Sequence, residues 1–171
     1  MILMTKDIIE RGAYADIFRP RGTNLAYKLF VSGNHPTNVG QGLTRPVDEE
    51  RRRKTFLSEC LAYERAAQHP FLCHHIPHSF HRPAVADVTD STGVVSHLYL
   101  LDCCYAMEYI DGDAWKLGEL LDRPTHIEQA LQVFREAGIR HLSDVSIFYP
   151  DDSQNFKFID FAIEEFQGMW C

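Results

Sequence analysis

Phe156-Lys157-Phe158-Ile159-Asp160-Phe161-Ala162 is the stretch on which the fold turns. It is mostly apolar and reads as a short buried strand that carries one carboxylate, Asp160, to its end and stops at a small residue. A carboxylate at a strand end suits a hard cation such as magnesium, which prefers oxygen donors. Alone, an Asp-Phe pair says little. Its weight comes from what precedes it in order: Lys28 within an apolar run, Glu59 on a helix, and the strand end Met107-Glu108-Tyr109-Ile110.

The chain has 171 residues, 45% of them hydrophobic, which suits one domain or two small lobes around a packed core. No apolar run approaches the ~20 residues of a membrane-spanning helix. Met1-Ile2-Leu3-Met4 meets Lys6 and Asp7 too soon for a signal peptide, so a cytoplasmic protein is expected. Five cysteines, with Cys103 and Cys104 adjacent, do not form a disulfide framework and read as reduced thiols. With 24 acids against 17 bases the net charge is −7, which argues against a nucleic-acid ligand. The one basic cluster, Arg51-Arg52-Arg53-Lys54, follows Asp48-Glu49-Glu50 and reads as the solvated start of a helix.

Working outward, Ile8 to Phe18 reads as two strands around a glycine turn at Gly12, and Leu25 to Phe30 as a third strand carrying Lys28. Val31 to Pro46 reads as a loop. Asp48 to Gln68 is a helix by the spacing of Phe56, Cys60, Tyr63 and Ala67, with acids in its first turn and Pro70 beyond its end. His69 to His81 is a loop. Arg82 to Val88 and Ser96 to Leu101 read as strands around Asp90-Ser91-Thr92-Gly93, and Cys103 to Ile110 as a further strand. Asp111-Gly112-Asp113 ends it, and Ala114 to Leu121 reads as a short helix. A second helix starts at Thr125 with a capping box to Glu128, buries Ile127, Leu131 and Phe134, and stops at Gly138. The expected class is α+β, with an antiparallel-sheet lobe bearing one helix over residues 1–110 and a reduced helical lobe over 111–171.

From about Ile8 to Ala162 this order resembles a minimal protein kinase. Glu10-x-Gly12-x-x-Ala15-x-Ile17 resembles the glycine-rich loop over the ATP phosphates, and Leu25-Ala26-Tyr27-Lys28 resembles the Val-Ala-Ile-Lys strand. Glu59 resembles the helix glutamate that pairs with that lysine, Met107 to Ile110 the gatekeeper and hinge, His141 the histidine that opens the catalytic loop, and Asp160-Phe161-Ala162 the Asp-Phe-Gly corner. The resemblance implies ATP and Mg2+ as cofactors. Lys28 would hold the α and β phosphates and Glu59 would fix Lys28. Asp160 would ligate magnesium, and the backbone of Glu108 and Ile110 would meet the adenine edge. It also implies a protein substrate or protein partner.

Several positions depart from the family pattern. The usual catalytic loop has an Asp base, with a metal-binding Asn five residues later. Here His141-Leu142-Ser143-Asp144 puts serine at the base position and Asp144 one place on, and Phe148 and Tyr149 stand five residues after them. If Ile147-Phe148-Tyr149 is the following strand, Ser146 takes the place of the Asn. Asp144 is then either a base that orients a substrate hydroxyl or a loop hydrogen-bonder. Gly12 is a turn glycine under either reading, and His141 is taken as structural. Ala162 replaces the corner glycine, and only residues 163–171 follow it, so the activation segment and substrate-binding helices are expected to be missing.

Two function classes follow: a minimal or atypical phosphotransferase, or a pseudokinase acting as an interaction module. Phe166, Met169 and Trp170 are candidates to cover exposed apolar surface or to bind a partner. Cys73-His74-His75-x-x-His78-x-x-His81 holds enough borderline ligands for zinc, but zinc sites usually pair two short ligand clusters across a spacer, so loop histidines are expected.

Overall fold

The computed structural model describes residues 1–33, 35, 49–120 and 122–163. The chain is α+β. Its described residues form two α-helices, a two-stranded parallel sheet, and four-stranded and three-stranded antiparallel sheets. They divide into two compact units, neither continuous in sequence: Met1–Phe56 with Ser79–Tyr109, and Leu57–His78 with the residues from Ile110 onward. Asp48, Leu121, most of the Val31 to Pro46 loop, and Phe166, Met169 and Trp170 lie outside the described residues.

The first unit holds β1 (Ile2–Met4), β2 (Ile8–Arg11), β3 (Ala15–Phe18), β4 (Leu25–Val31), β5 (Asp87–Thr89) and β6 (Tyr99–Glu108). It also holds the opening turns of α1 (Glu49–Gln68). β2, β3, β4 and β6 make the antiparallel sheet in that order. Pleating sends alternate residues to opposite faces, and residues directly opposite one another share a face. On one face Phe18, Tyr27, Leu29, Cys104 and Ala106 join Leu3, Val85 and Val88 in a buried apolar cluster. On the other, Phe56 of α1 meets Phe30 edge-on at 5.6 Å and stacks with Tyr105 at 6.4 Å. Burying a side chain of that size contributes roughly 1.5–3 kcal/mol.

Three expectations change in this unit. The strands expected over 96–101 and 103–110 are one strand, β6, because Asp102 does not break the ladder: it is exposed and bonded to the Arg53 guanidinium. The strand expected over 82–88 shrinks to β5, whose parallel partner is β1, a pairing between distant segments that no local pattern announces. The basic cluster is not wholly solvated either. Arg52 is fully buried, and its Nη1 donates to the carbonyls of Val31 and Ser32 at the end of β4. Buried with it is Asp16, whose Oδ2 accepts from the Tyr99 hydroxyl at 2.8 Å and lies 3.4 Å from His35 Nε2.

The second unit contains the rest of α1, a 3-10 turn at Leu72–His74, β7 (Ala114–Lys116), α2 (Thr125–Glu136), β8 (Ser146–Phe148) and β9 (Lys157–Ile159). β7, β8 and β9 form an antiparallel sheet. α2 buries Ile127, Ala130, Leu131 and Phe134 on one stripe, and Phe134 meets Phe158 at 5.1 Å and Phe161 at 4.9 Å. In α1 the stripe ends on Ala66 and leaves Ala67 exposed, as the helical period of 3.6 allows from Tyr63.

The helix expected over 114–121 is instead β7 followed by a 3-10 turn at Leu117–Glu119. A segment this short cannot sustain an isolated helix, whereas the edge of β8 offers it a ladder. The capping box at Thr125 is absent. Pro124 is the N-cap with φ −56°, no side chain caps the helix, and Glu128 pairs with Arg123 at 3.0 Å. Gly138 does end the helix region, with φ +76°.

Candidate functional site

The sheet register decides where the nucleotide-site candidates of the first unit fall. Ala15 lies opposite Phe30, Ile17 opposite Lys28, Lys28 opposite Tyr105, and Ala26 opposite Met107. Ala15, Ile17, Ala26, Lys28 and Met107 therefore share one face. It is the face opposite the apolar cluster of Tyr27 and Leu29. Two alanines keep this surface low beside one ammonium, and the Lys28 Nζ lies 5.7 Å from the Phe30 ring centroid and 5.8 Å from that of Tyr105. An apolar platform beside a lysine ammonium can accept a flat ring and an anion together.

Gly12 occupies the β2–β3 turn, where its N–H donates to the Ala15 carbonyl at 2.9 Å. A Cβ there would stand 2.9 Å from the same oxygen, so the turn itself demands glycine. Glu108 ends β6. Tyr109 follows, its N–H bonded to the Asn24 carbonyl at 3.0 Å and its ring covered by Arg19 at 3.6 Å. Ile110 belongs to the second unit, as do Glu59, Asp144 and Asp160.

In the second unit β9 delivers Asp160 with φ +61°, a left-handed conformation that is strained for a residue with a side chain. The strand is held from outside the sheet: Phe158 N–H donates to the His75 carbonyl at 2.8 Å, and Lys157 Nζ donates to the His74 and Ile76 carbonyls. Asp160 N–H donates to the hydroxyl of Tyr63, a fully buried residue of α1 whose ring packs at a tilt against Phe161 at 4.3 Å. Burial pushes the Tyr63 hydroxyl well above its ordinary range, with the Asp160 and Glu59 carboxylates adding to the effect. Glu59 is buried one helical turn before Tyr63.

Beside this corner, His141 and Ala162 exchange two backbone hydrogen bonds of 3.1 Å, which clamp the expected catalytic loop to the Asp-Phe-Ala turn. His141 Nε2 lies 3.6 Å from Asp144 Oδ2. Ser146, at the position compared with the metal-binding Asn, is buried within β8, paired with Lys116 on one side and Ile159 on the other.

Lys116 was not foreseen. Its Nζ donates to the Asp144 carbonyl at 3.1 Å and stands 3.9 Å from Asp160 Oδ2. The sequence hid it inside a segment read as a helix. Its register opposite Ser146 is the signal that places it, and that register requires knowing β7 to be a strand.

A magnesium ion keeps several waters, takes phosphate oxygens, and needs only one or two protein carboxylates. Asp160, about one third exposed, fits an ion that arrives with a nucleotide. Among the described residues no group of three or more His, Cys, Asp or Glu could hold an ion by itself.

The histidine-rich segment is engaged in hydrogen bonds and ring contacts. His69 Nδ1 accepts from the Phe71 and Leu72 amides. His75 stacks on Phe156 at 3.9 Å and donates to its carbonyl, and His81 bonds the Ser79 carbonyl. Cys73 Sγ faces the Pro70 carbonyl at 3.4 Å. Cys103 and Cys104 are both buried in β6, and burial raises the Cys103 thiol to about 11. Among the described residues no helix is long and apolar enough to cross a membrane. No protein-family model matches the chain, and no curated protein and no solved structure matches it.

Proposed function

We propose that the chain is a protein-kinase-like domain that binds ATP with magnesium and transfers phosphate weakly or not at all. The observation that carries this reading is the register placing Ala15, Ile17, Ala26, Lys28 and Met107 on one sheet face. Residues two apart share a face in any strand, so the support lies in the registers that bring the pairs Ala15 with Ile17 and Ala26 with Lys28, and Met107, to the same face. In this reading Lys28 holds the α and β phosphates. The Glu108 and Ile110 backbone meets the adenine edge, and Asp160 takes the magnesium ion that neutralises the triphosphate. Asp144, beside His141 and exposed to solvent, is the group available to orient a substrate hydroxyl. The reading also takes the protein to be cytoplasmic, with a protein as its substrate or partner.

A second reading, a catalytically inactive interaction module, is favoured by Ser146. A buried serine inside a strand is a poor substitute for an amide side chain reaching a second metal ion. A thermal-shift titration separates the possibilities. Magnesium-dependent stabilisation by ATP is expected, worth about 2.7 kcal/mol at 100 times the dissociation constant. It should be lost in Lys28→Ala and in Asp160→Ala. Absence of any shift at millimolar nucleotide would remove nucleotide binding from the reading. Where binding is seen, transfer of label from γ-labelled ATP that disappears in Asp144→Asn favours the enzyme, and no transfer favours the module.

A further inference from the structure

We propose that Lys116 supplies, as a fixed ammonium beside Asp160, the positive charge that a second metal ion gives in two-metal phosphoryl sites. The site would then take one divalent ion per nucleotide, with Lys116 reading the terminal phosphate. This rests on the nucleotide-binding reading above and deepens it.

Three observations meet at this residue. Its Nζ stands 3.9 Å from Asp160 Oδ2, so a carboxylate expected to hold metal already has a cation alongside. Its hydrogen bond to the Asp144 carbonyl, 3.1 Å, fixes the ammonium against the loop where a reacting hydroxyl would be oriented. Its strand partner is Ser146, the residue compared with the second metal ligand, and Ser146 is in turn opposite Ile159, which precedes Asp160. The row Lys116, Ser146, Ile159 therefore replaces a neutral metal ligand with a buried hydroxyl and places a lysine side chain at its end.

A lysine ammonium is a compact charge with three donors and serves phosphate oxygens well. It also repels a second divalent ion from the same carboxylate. Lys116 is about half exposed, so it retains donors for a ligand beyond the Asp144 carbonyl. That exposure also makes its replacement tolerable to the fold.

The test titrates the full-length chain with ATP and with ADP at graded magnesium, by calorimetry and thermal shift, for the wild type, Lys116→Met and Lys116→Arg. The wild type should prefer ATP over ADP, and its ATP binding should depend on a single magnesium ion. Lys116→Met should weaken ATP binding by roughly tenfold, as expected for loss of one charge-assisted contact, while ADP binding stays within about twofold. Lys116→Arg should recover part of the loss. Unchanged ATP and ADP affinities in Lys116→Met, or a wild type that requires two ions, would overturn the role of Lys116 while leaving nucleotide binding intact. A wild type that binds neither nucleotide would overturn both.

Discussion

Replacing Tyr99 by phenylalanine deletes one oxygen from the interior of the first unit and leaves the ring in place. That oxygen donates to Asp16 Oδ2 at 2.8 Å. Asp16 is fully buried, and among the described residues its Oδ1 finds no hydrogen-bond partner, so the tyrosine carries much of the carboxylate's solvation. Burial first, and the Asp16 carboxylate after it, raise the Tyr99 hydroxyl far above its ordinary range. A hydrogen bond to a charged acceptor contributes about 1.5–3 kcal/mol, and because His35 Nε2 stays 3.4 Å from the same oxygen the loss falls in the lower part of that range. Loss of ring packing adds little, because the edge contact between Phe18 and Tyr99 at 5.7 Å survives the change. Tyr99→Phe should therefore cost about 2 kcal/mol in urea unfolding, or about 4–8 °C for a chain of this size. The cost should fall below about 0.5 kcal/mol when measured in an Asp16→Ala background, the mark of a pair rather than two independent residues. Equal costs in the two backgrounds would refute the claim that the hydroxyl serves the carboxylate.

Two more predictions concern the second unit. Burial first, and the nearby Lys157, His74 and His126 charges after it, hold His75 below the ordinary histidine value of 6.5 against the opposing pull of its bond to Phe156. The unfolded chain therefore binds the proton more readily. His75's contribution is full above about pH 6.5 and shrinks as pH falls toward its lower folded value. The stability lost between about pH 7.5 and about 5.5 should be smaller in His75→Phe than in the wild type, and an equal loss would exclude His75 as a source. Gly138→Ala places a Cβ 2.6 Å from Arg65 Nη1 at φ +76°. The arginine can move but the backbone cannot, so a loss of about 1–2 kcal/mol is expected in urea titration, and an unchanged midpoint would show the turn to be adaptable.

Periodic and punctuated stretches were legible in the sequence. α1 and α2, the strands around Gly12, and the strand bearing Lys28 follow from apolar spacing and turn residues, which are local signals. Pairings between distant segments were not. Nothing near Ile2–Met4 names Asp87–Thr89 as its partner, and nothing in Ala114–Lys116 favours a strand over a helix until β8 lies beside it. The same limit hid the buried polar groups. Arg52 sits among three other cations in sequence, and only its turn of the helix carries it to the Val31 and Ser32 carbonyls. Lys28, Glu59 and Asp160 became candidates through the residues around them in sequence, whereas Lys116 became one only through its neighbours in space.

The interleaved composition of the two units has a consequence for how the polypeptide is made. During synthesis, Leu57–His78 emerges well before Phe158 and Phe161, so Tyr63, which ends buried against Phe161, must wait for nearly a hundred further residues. A fragment cut after Tyr109 would keep that ring and lose what shields it. Truncation at a single point can thus keep all of one unit only with a stranded piece of the other attached: a cut after Tyr109 leaves Leu57–His78 joined to the first unit without the residues it packs with.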